Sequence, residues 1–374
     1  MAQSLGRSQE CYVVAEAVYG TREASRPVAT DQVPVISLRT PLNQELLIPE
    51  DKTGTRSRRQ PIAGGAIEGA VDLECHLIPS GTAGTAPDTS ALVKNVLGAV
   101  NTAIATTIND AGATTTVFIV TSATNIAVGS ILFVGAECRP VTVVSGTTIT
   151  VGVPFSAAPA NGATVKGITY KCADAVAEGL DVYNYDGQSN LNRVAEGVVI
   201  NSGTFQIDTR ARILSMVLSG LAKDVSTSSI TSKPTGVTIG TPIAASFGDV
   251  WIGSTAFSLF DISIVVNNND TRRMIPVGSQ NADGISRGLR DVSVTFRLYL
   301  DATTAGLYAD AVARTSKSLF VQIGNTAGYI WGFWLPTFVL QTPDPEFGDG
   351  DVIIEFSGSV AYGTGNNEIF IGHN

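Results

Sequence analysis

Two histidines, four cysteines and two acidic turns are the residues of this chain whose types could support chemistry. His76 lies in "AVDLECHLI" (70–78), two residues from Glu74, an arrangement that could move a proton. His373 sits in the terminal "IGHN". A histidine on one face of an alternating strand reads as a satisfied or solvated side chain. No serine elbow, phosphate loop, H-E-x-x-H pair or dinucleotide fingerprint accompanies either one. Cys11, Cys75, Cys138 and Cys172 show no C-x-x-C spacing and read as buried free thiols, with a Cys138–Cys172 bridge left open. "PDPEFGDGD" (343–351) carries Asp344, Glu346, Asp349 and Asp351, while "YNYDGQSN" (183–190) carries Asn184 and Asp186 before Gly187. Calcium loops use oxygens so spaced, but neither turn completes the ligand register or supplies the closing glutamate. Acidic glycine turns are common between strands. The expectation is a protein without catalytic residues, metal or cofactor, and not an enzyme.

Two basic clusters remain. "KTGTRSRRQP" (52–61) holds Arg56, Arg58 and Arg59, and "NNNDTRRMIP" (267–276) holds Arg272 and Arg273. Each precedes a strand of the same pattern, so one arginine-bearing loop recurs at the same point of a repeated unit. Solvated hairpin tips and docking against acidic surface on a neighbouring copy both fit. A nucleic-acid patch fits less well, because no aromatic residue is interleaved.

The elements that would position these residues are short and β-rich. "AVDLECHLI" (70–78), "DVSVTFRLYL" (291–300), "RILSMVLSG" (212–220) and "DVIIEFSG" (351–358) read as strands. "DTSALVKNVLGAVNTAIA" (88–105) puts Leu92, Val93, Val96, Leu97, Val100 and Ile104 on one helical face behind a capping Asp88 or Thr89. "TTAGLYADAVART" (303–315) does the same with Leu307, Tyr308, Ala311 and Val312. Strand, helix and strand pair therefore occur twice: Val71 aligns with Val292, Gly197 with Gly332, and Ser219 with Ser357. The surplus of the first copy holds five strand candidates from Thr114 to Lys171, with a tight-turn signal at Ser145-Gly146. The expected fold is mainly β. It has two tandem β-sandwich or barrel domains with a flanking helix each (1–110 with 173–228, and 229–374) and a small all-β insertion at 111–172, tolerated at a loop tip.

Composition bounds the partners. Of 374 residues 44% are hydrophobic and 15% charged, which excludes a disordered chain and suggests an exterior covered by copies of itself. A net charge of −9 argues against a surface built to grip phosphates. The opening "MAQSLGRSQE" lacks the apolar core of a signal peptide, and no apolar run reaches bilayer-spanning length. The expectation is synthesis in a cytoplasm and a protein that stays soluble or assembles.

The ordered, doubled signals resemble the tail tube, or major tail, proteins of long-tailed bacteriophages. They are "YVVAEAVYGTREASRP" (12–27), similar to that family's extended opening arm, the endings "SGLAKDV" and "SGSVAYG", and the strands "GAIEGAVDLECHLIPSG" and "GISRGLRDVSVTFRLYLD" with a helix after each. The resemblance covers most of the chain outside the insertion. It implies a structural virion protein whose sheets pair edge to edge into stacked rings, a passive conduit for DNA ejection into the host. Two units per chain would let trimeric rings reach pseudo-sixfold symmetry. It further implies tape-measure, tail terminator and baseplate proteins as partners, DNA in transit without specific binding, no membrane, and assembly in the host cytoplasm. Arg56, Arg58, Arg59, Arg272 and Arg273 would reach the adjacent ring. The polar face of Asp72, Glu74 and His76, with Ser293, Thr295 and Arg297 aligned to it, would line the lumen. The insertion would project outward, which favours a sheathless siphovirus tail. A tail-tip or baseplate ring of the same fold is the alternative. A carbohydrate-binding adhesive β-protein is a third reading.

Overall fold

Alternation decides the main strands. In Ile67–His76 the residues Val71, Leu73 and Cys75 are buried while Asp72 is exposed and Glu74 and His76 are half-buried. In Asp291–Tyr299 the residues Val292, Val294, Phe296 and Leu298 are buried in the same rhythm. The computed structural model describes residues 8–374 except 52–53, 58, 63, 176–177, 187–190, 208–212, 228–229, 231, 236–239, 245–247 and 346–350.

Strands β1 (Glu10–Ala15), β2 (Gln32–Val33), β3 (Val35–Arg39), β4 (Leu42–Gln44) and β5 (Ile67–His76) precede helix α1 (Ser90–Leu97). Next come β6 (Gly98–Val100), β7 (Ile104–Thr107), β8 (Val117–Ile119), β9 (Ile131–Val134), β10 (Glu137–Ser145), β11 (Thr148–Val151) and β12 (Thr164–Cys172). They are followed by β13 (Leu180–Tyr185), β14 (Arg193–Ile207), β15 (Leu214–Ala222) and β16 (Asp224–Ser226). The remainder holds β17 (Gly248–Ile252), β18 (Thr255–Phe257), β19 (Asp261–Asn267), β20 (Thr271–Arg272), β21 (Ile285–Ser286) and β22 (Asp291–Tyr299). Helix α2 (Thr304–Ala313) leads to β23 (Ser316–Thr326), β24 (Tyr329–Val339), β25 (Ile353–Ala361) and β26 (Phe370–His373). The protein is mainly β, as its alternating sequence implies.

Pairing order repeats. The neighbours β1–β13–β14–β15–β5–β3 are connected as β17–β23–β24–β25–β22–β19 are, all antiparallel. The two series meet at β14, whose residues Ser202–Ile207 pair with Ile262–Asn267 of β19. One apolar core runs through both series, from Leu73 and Phe205 to Phe296 and Phe356.

The expected extent of the first helix is corrected. The long helix of 88–105 stops at Leu97, because Gly98 takes φ +110 and turns its N–H back to Lys94 O. A Cβ on Gly98 would stand 3.0 Å from Ala173 Cβ, so the tight packing also holds glycine there. Ile104 therefore lies in a strand. Thr89 occupies the cap position without a side-chain cap bond. The opening segment is tied into the sheet: β1 pairs with β13 on one edge and β2 on the other, with Cys11, Tyr12, Val13 and Val14 buried. All four cysteines are buried and free, as the spacing implied, and the bridge left open between Cys138 and Cys172 is not formed. Burial raises the thiols, Cys75 and Cys172 to about 12, which keeps them protonated.

The five strands read between Thr114 and Lys171 are present as β8 to β12, and Gly146 sits at φ +60 in the β10–β11 turn. Their core of Phe118, Leu132, Val141, Ile149 and Val165 also takes in Ile104 and Ile108. The module is anchored in the second series. Ile131, Phe133 and Cys138 pack with Phe320, Ile330, Trp334 and Phe370. Strand β12 pairs with β26, which pairs with β24. Gln322 of β23 is the polar fastening: it accepts from Cys138 N (2.9 Å) and Arg139 Nη1 (3.0 Å) and donates to Ala136 O (3.0 Å). Arg139 lies 4.6 Å over Trp251 and 5.1 Å over Phe155. Gln322→Ala should lower the unfolding free energy by about 3 kcal/mol in a urea titration, because Cys138 N loses its acceptor and the buried guanidinium loses one of its acceptors. A change below about 1 kcal/mol would mean that the apolar contacts hold the module alone.

Candidate assembly surface

Cross-strand register assembles one polar face from both series. A first row runs Arg39, Asp72, Ser219, Ser202, Asn267, Asp291. A second runs Ser37, Glu74, Val217, Thr204, Val265, Ser293, Val360. A third runs His76, Ser215, Gln206, Ser263, Thr295, and a fourth Asp261, Arg297, Glu355. Asp72, Glu74, His76, Ser293, Thr295 and Arg297 thus share a single face of one continuous sheet. Period-two side-chain placement made them legible, while the β14–β19 ladder that joins their halves is non-local and has no sequence signal.

Carboxylates dominate the face: Asp72, Glu74, Asp261, Asp291 and Glu355 stand in these rows against Arg39 and Arg297. Arg297 is no free cation. It forms an ion pair with Asp261, donating from Nε at 2.9 Å, and lies opposite Glu355 on the other side. Asp72 accepts from Ser219 Oγ at 3.1 Å. A phosphate backbone approaching this face meets mostly like charge and small hydroxyls.

The two long loops leave the same end of the sheet. Their necks have one geometry: a Cβ on Gly65 would meet Glu45 O at 2.1 Å, and a Cβ on Gly288 would meet Asn269 O at 2.1 Å. Loop 268–290 leans onto the start of β5. Arg272 donates to Gly69 O, and Ile67 N donates to Gln280 O at 2.9 Å. Arg272 is therefore half-buried inside the chain and held by it. Arg56, Arg59 and Arg273 are exposed, with Arg59 paired to exposed Asp51, and Arg58 lies outside the described residues. Sequence reading passed over the apolar members: Leu46 and Ile62 on the first loop, Met274, Val277 and Leu289 on the second, all exposed. The loop is braced by Asp270, whose side chain is fully buried against Arg287 at 3.1 Å, and by Arg290, which donates to Ala173 O at 2.6 Å. Burial raises the Asp270 pKa and the arginine opposes the rise.

The residues first considered for chemistry are scattered. His373 is buried against Trp331, ring centroids 4.7 Å apart, and burial lowers its pKa to about 3, so it stays neutral. Asp344 and Asp351 are exposed, while Glu346, Asp349 and Gly187 lie outside the described residues. Asp186 accepts from Leu191 N, and Asn184 accepts from Gln9. Among the described residues no three His, Cys, Asp or Glu side chains gather as a metal set, and no helix is long and apolar enough to cross a membrane.

Replacing Arg287 with Ala should cost about 3 kcal/mol in thermal or urea unfolding, since Asp270 would be left buried and unpaired. Arg297→Ala should cost less than about 1 kcal/mol, because that pair is 44% and 21% exposed. Equal losses in the two variants would contradict this reading of burial.

A family model described as phage tail tube protein matches residues 6–360. No curated protein matches the chain.

Proposed function

The chain belongs to the phage tail tube protein family, and we propose that it carries two copies of one tube unit and assembles, three chains to a ring, into a stacked tube that conducts DNA. The first unit spans 1–110 and 173–228, the second 229–374, and the β module is inserted in the first. The reading is structural rather than catalytic, with the virion tail as its place.

One observation carries it: the β14–β19 ladder joins the two strand series inside a single chain. By the repeated pairing order, its counterpart joins the β24–β25 margin of one chain to β3 of the next. Those margins support the idea, because among the described residues β3 pairs only with β5, and β25 meets β24 only at Val360 and Ala361. Exposed strand margins are templates for pairing, and closure into a ring removes them. Ile36 of β3 and Ile353 of β25 are about half exposed and would be covered.

The polar face would then line the channel. Screening confines its repulsion of the duplex to about 8 Å at physiological salt, enough to deny DNA a binding site without blocking it. Loop 45–66 would lie over the next chain as loop 268–290 lies over β5, presenting Arg56, Arg59, Arg273 and the exposed apolar residues to the adjacent ring. Contacts that bury Met274, Val277 and Leu289 would make stacking less salt-sensitive than an arginine contact alone.

Purified protein should form rings or tubes in negative stain. Ile36→Lys, which puts a charge on the β3 margin, should yield folded monomer by size exclusion and circular dichroism. Wild-type protein that stays monomeric at high concentration, or an Ile36→Lys variant that still assembles, would refute the junction. Wild type should not retard duplex DNA at about 150 mM salt, whereas lysines at Asp72, Glu74 and Glu355 should produce salt-dependent retention.

A further inference from the structure

Away from the polar face, two carboxyl groups are buried side by side. Glu16 and Asp181 are 1% and 0% exposed. Glu16 follows β1, where its N–H donates to Gly179 O at 2.8 Å, and Asp181 lies in β13 opposite Val14. The Glu16 carboxylate accepts two amide N–H groups, from Gly20 and from Gly197, each at 2.6 Å. Asp181 Oδ2 accepts Glu23 N at 3.2 Å, and its Oδ1 accepts from no donor. The two carboxyls are close enough that each shifts the other's affinity for a proton. Two acids can bond only through a proton. Both Glu16 oxygens already accept amides, so the proton belongs on Asp181 Oδ1, donated to Glu16.

The segment between these contacts crosses the end of the sheet. Arg22 pairs with Glu196, and Lys223 Nζ reaches Gly20 O at 3.4 Å. Tyr19 lies against Gly197 and Gly179, where a Cβ would stand 3.2 Å from its ring at either position. Beside it is a groove of about 350 Å³ whose far wall is Arg273, Asp283, Gly284 and Ile285 of the second long loop. The titratable and charged groups facing the pair are Tyr19, Arg22 and Glu23 on the segment itself, Glu178 and Tyr183 beside and on β13, Glu196 on β14 and Lys223 after β15, with Arg272, Arg273 and Asp283 across the groove.

We propose that residues 16–23 form a strap latched over β13 and β14 by one proton shared between Glu16 and Asp181, and that loss of this proton releases the strap and opens the groove. The inference is independent of the ring reading. Burial raises the pair, Glu16 to about 8 from an ordinary 4.5, against the lowering pull of the amide donors. The sign follows from where the proton is held. The closed strap keeps a proton that the open strap gives up at an ordinary carboxylate pKa. The latch is complete below about pH 4.5, weakens by about tenfold per pH unit above it, and is lost as pH passes about 8.

Amide hydrogen exchange of the full chain tests this, comparing wild type with Asp181→Asn at pH 6 and pH 8. Asparagine puts an N–H where the shared proton sits and keeps an oxygen for Glu23 N. Relative to that variant, wild-type protection of residues 16–23 and Gly197 should fall by about a hundredfold between the two pH values. Glu16→Gln turns a donor toward Gly20 or Gly197, and its strap should exchange freely at both. Equal pH dependence in wild type and Asp181→Asn would overturn the latch. Should Asp181→Asn not fold, carbon-13 carboxyl titration of wild type decides. One of the two groups titrating near pH 8 supports the latch, and both titrating near pH 4 overturn it.

Discussion

A backbone N–H or C=O on a sheet margin must find a partner, and that requirement organises this molecule. Strand β14 meets it twice over. Its first half is held between β13 and β16, and its second half between β15 and β19. A register shift between Ile200 and Ser202 and the φ +60 of Gly197 let one strand serve both places. Without the β14–β19 ladder no strand pairing among the described residues would join the two series. Among the described residues, β3 is paired on one side only, and β25 meets β24 only at Val360 and Ala361.

The same sheet separates its duties by face. Inward, the alternating apolar residues merge into one core under both helices. Outward, carboxylates and hydroxyls repeat across the strands, and Arg297, the arginine among the lumen candidates, is tied to Asp261. The β8–β12 module is bound to the rest of the chain by packing and by polar contacts. Gln322, Arg139 and the shared strand β12 fasten it to β23, β24 and β26.

Much of this was legible from sequence. Alternation in "VDLECH" and "VSVTFR" located the core strands and the polar face, and the doubling of strand, helix and strand pair pointed to the family. Helix α1 was read too long because apolar spacing continues from Leu97 to Ile104, and a glycine in left-handed geometry carries no periodic signal. The opening "ECYVVA" has the apolar density of a core strand, and it forms β1. What links Glu16 to Asp181, Gln322 to Arg139 or β14 to β19 is proximity between distant segments. No local pattern encodes it. The arginines drew attention by charge, while the exposed Met274 and Val277 beside them gave no such cue.

The proposed ring depends on equivalence between the junction inside the chain and the junction between chains. Cryo-electron microscopy of the assembled protein measures this directly. The account predicts three chains per ring, pseudo-sixfold density, and β3 of each chain in antiparallel register along the β24–β25 margin of its neighbour. A ring with another chain number, or β3 margins left facing solvent in the assembly, would contradict it.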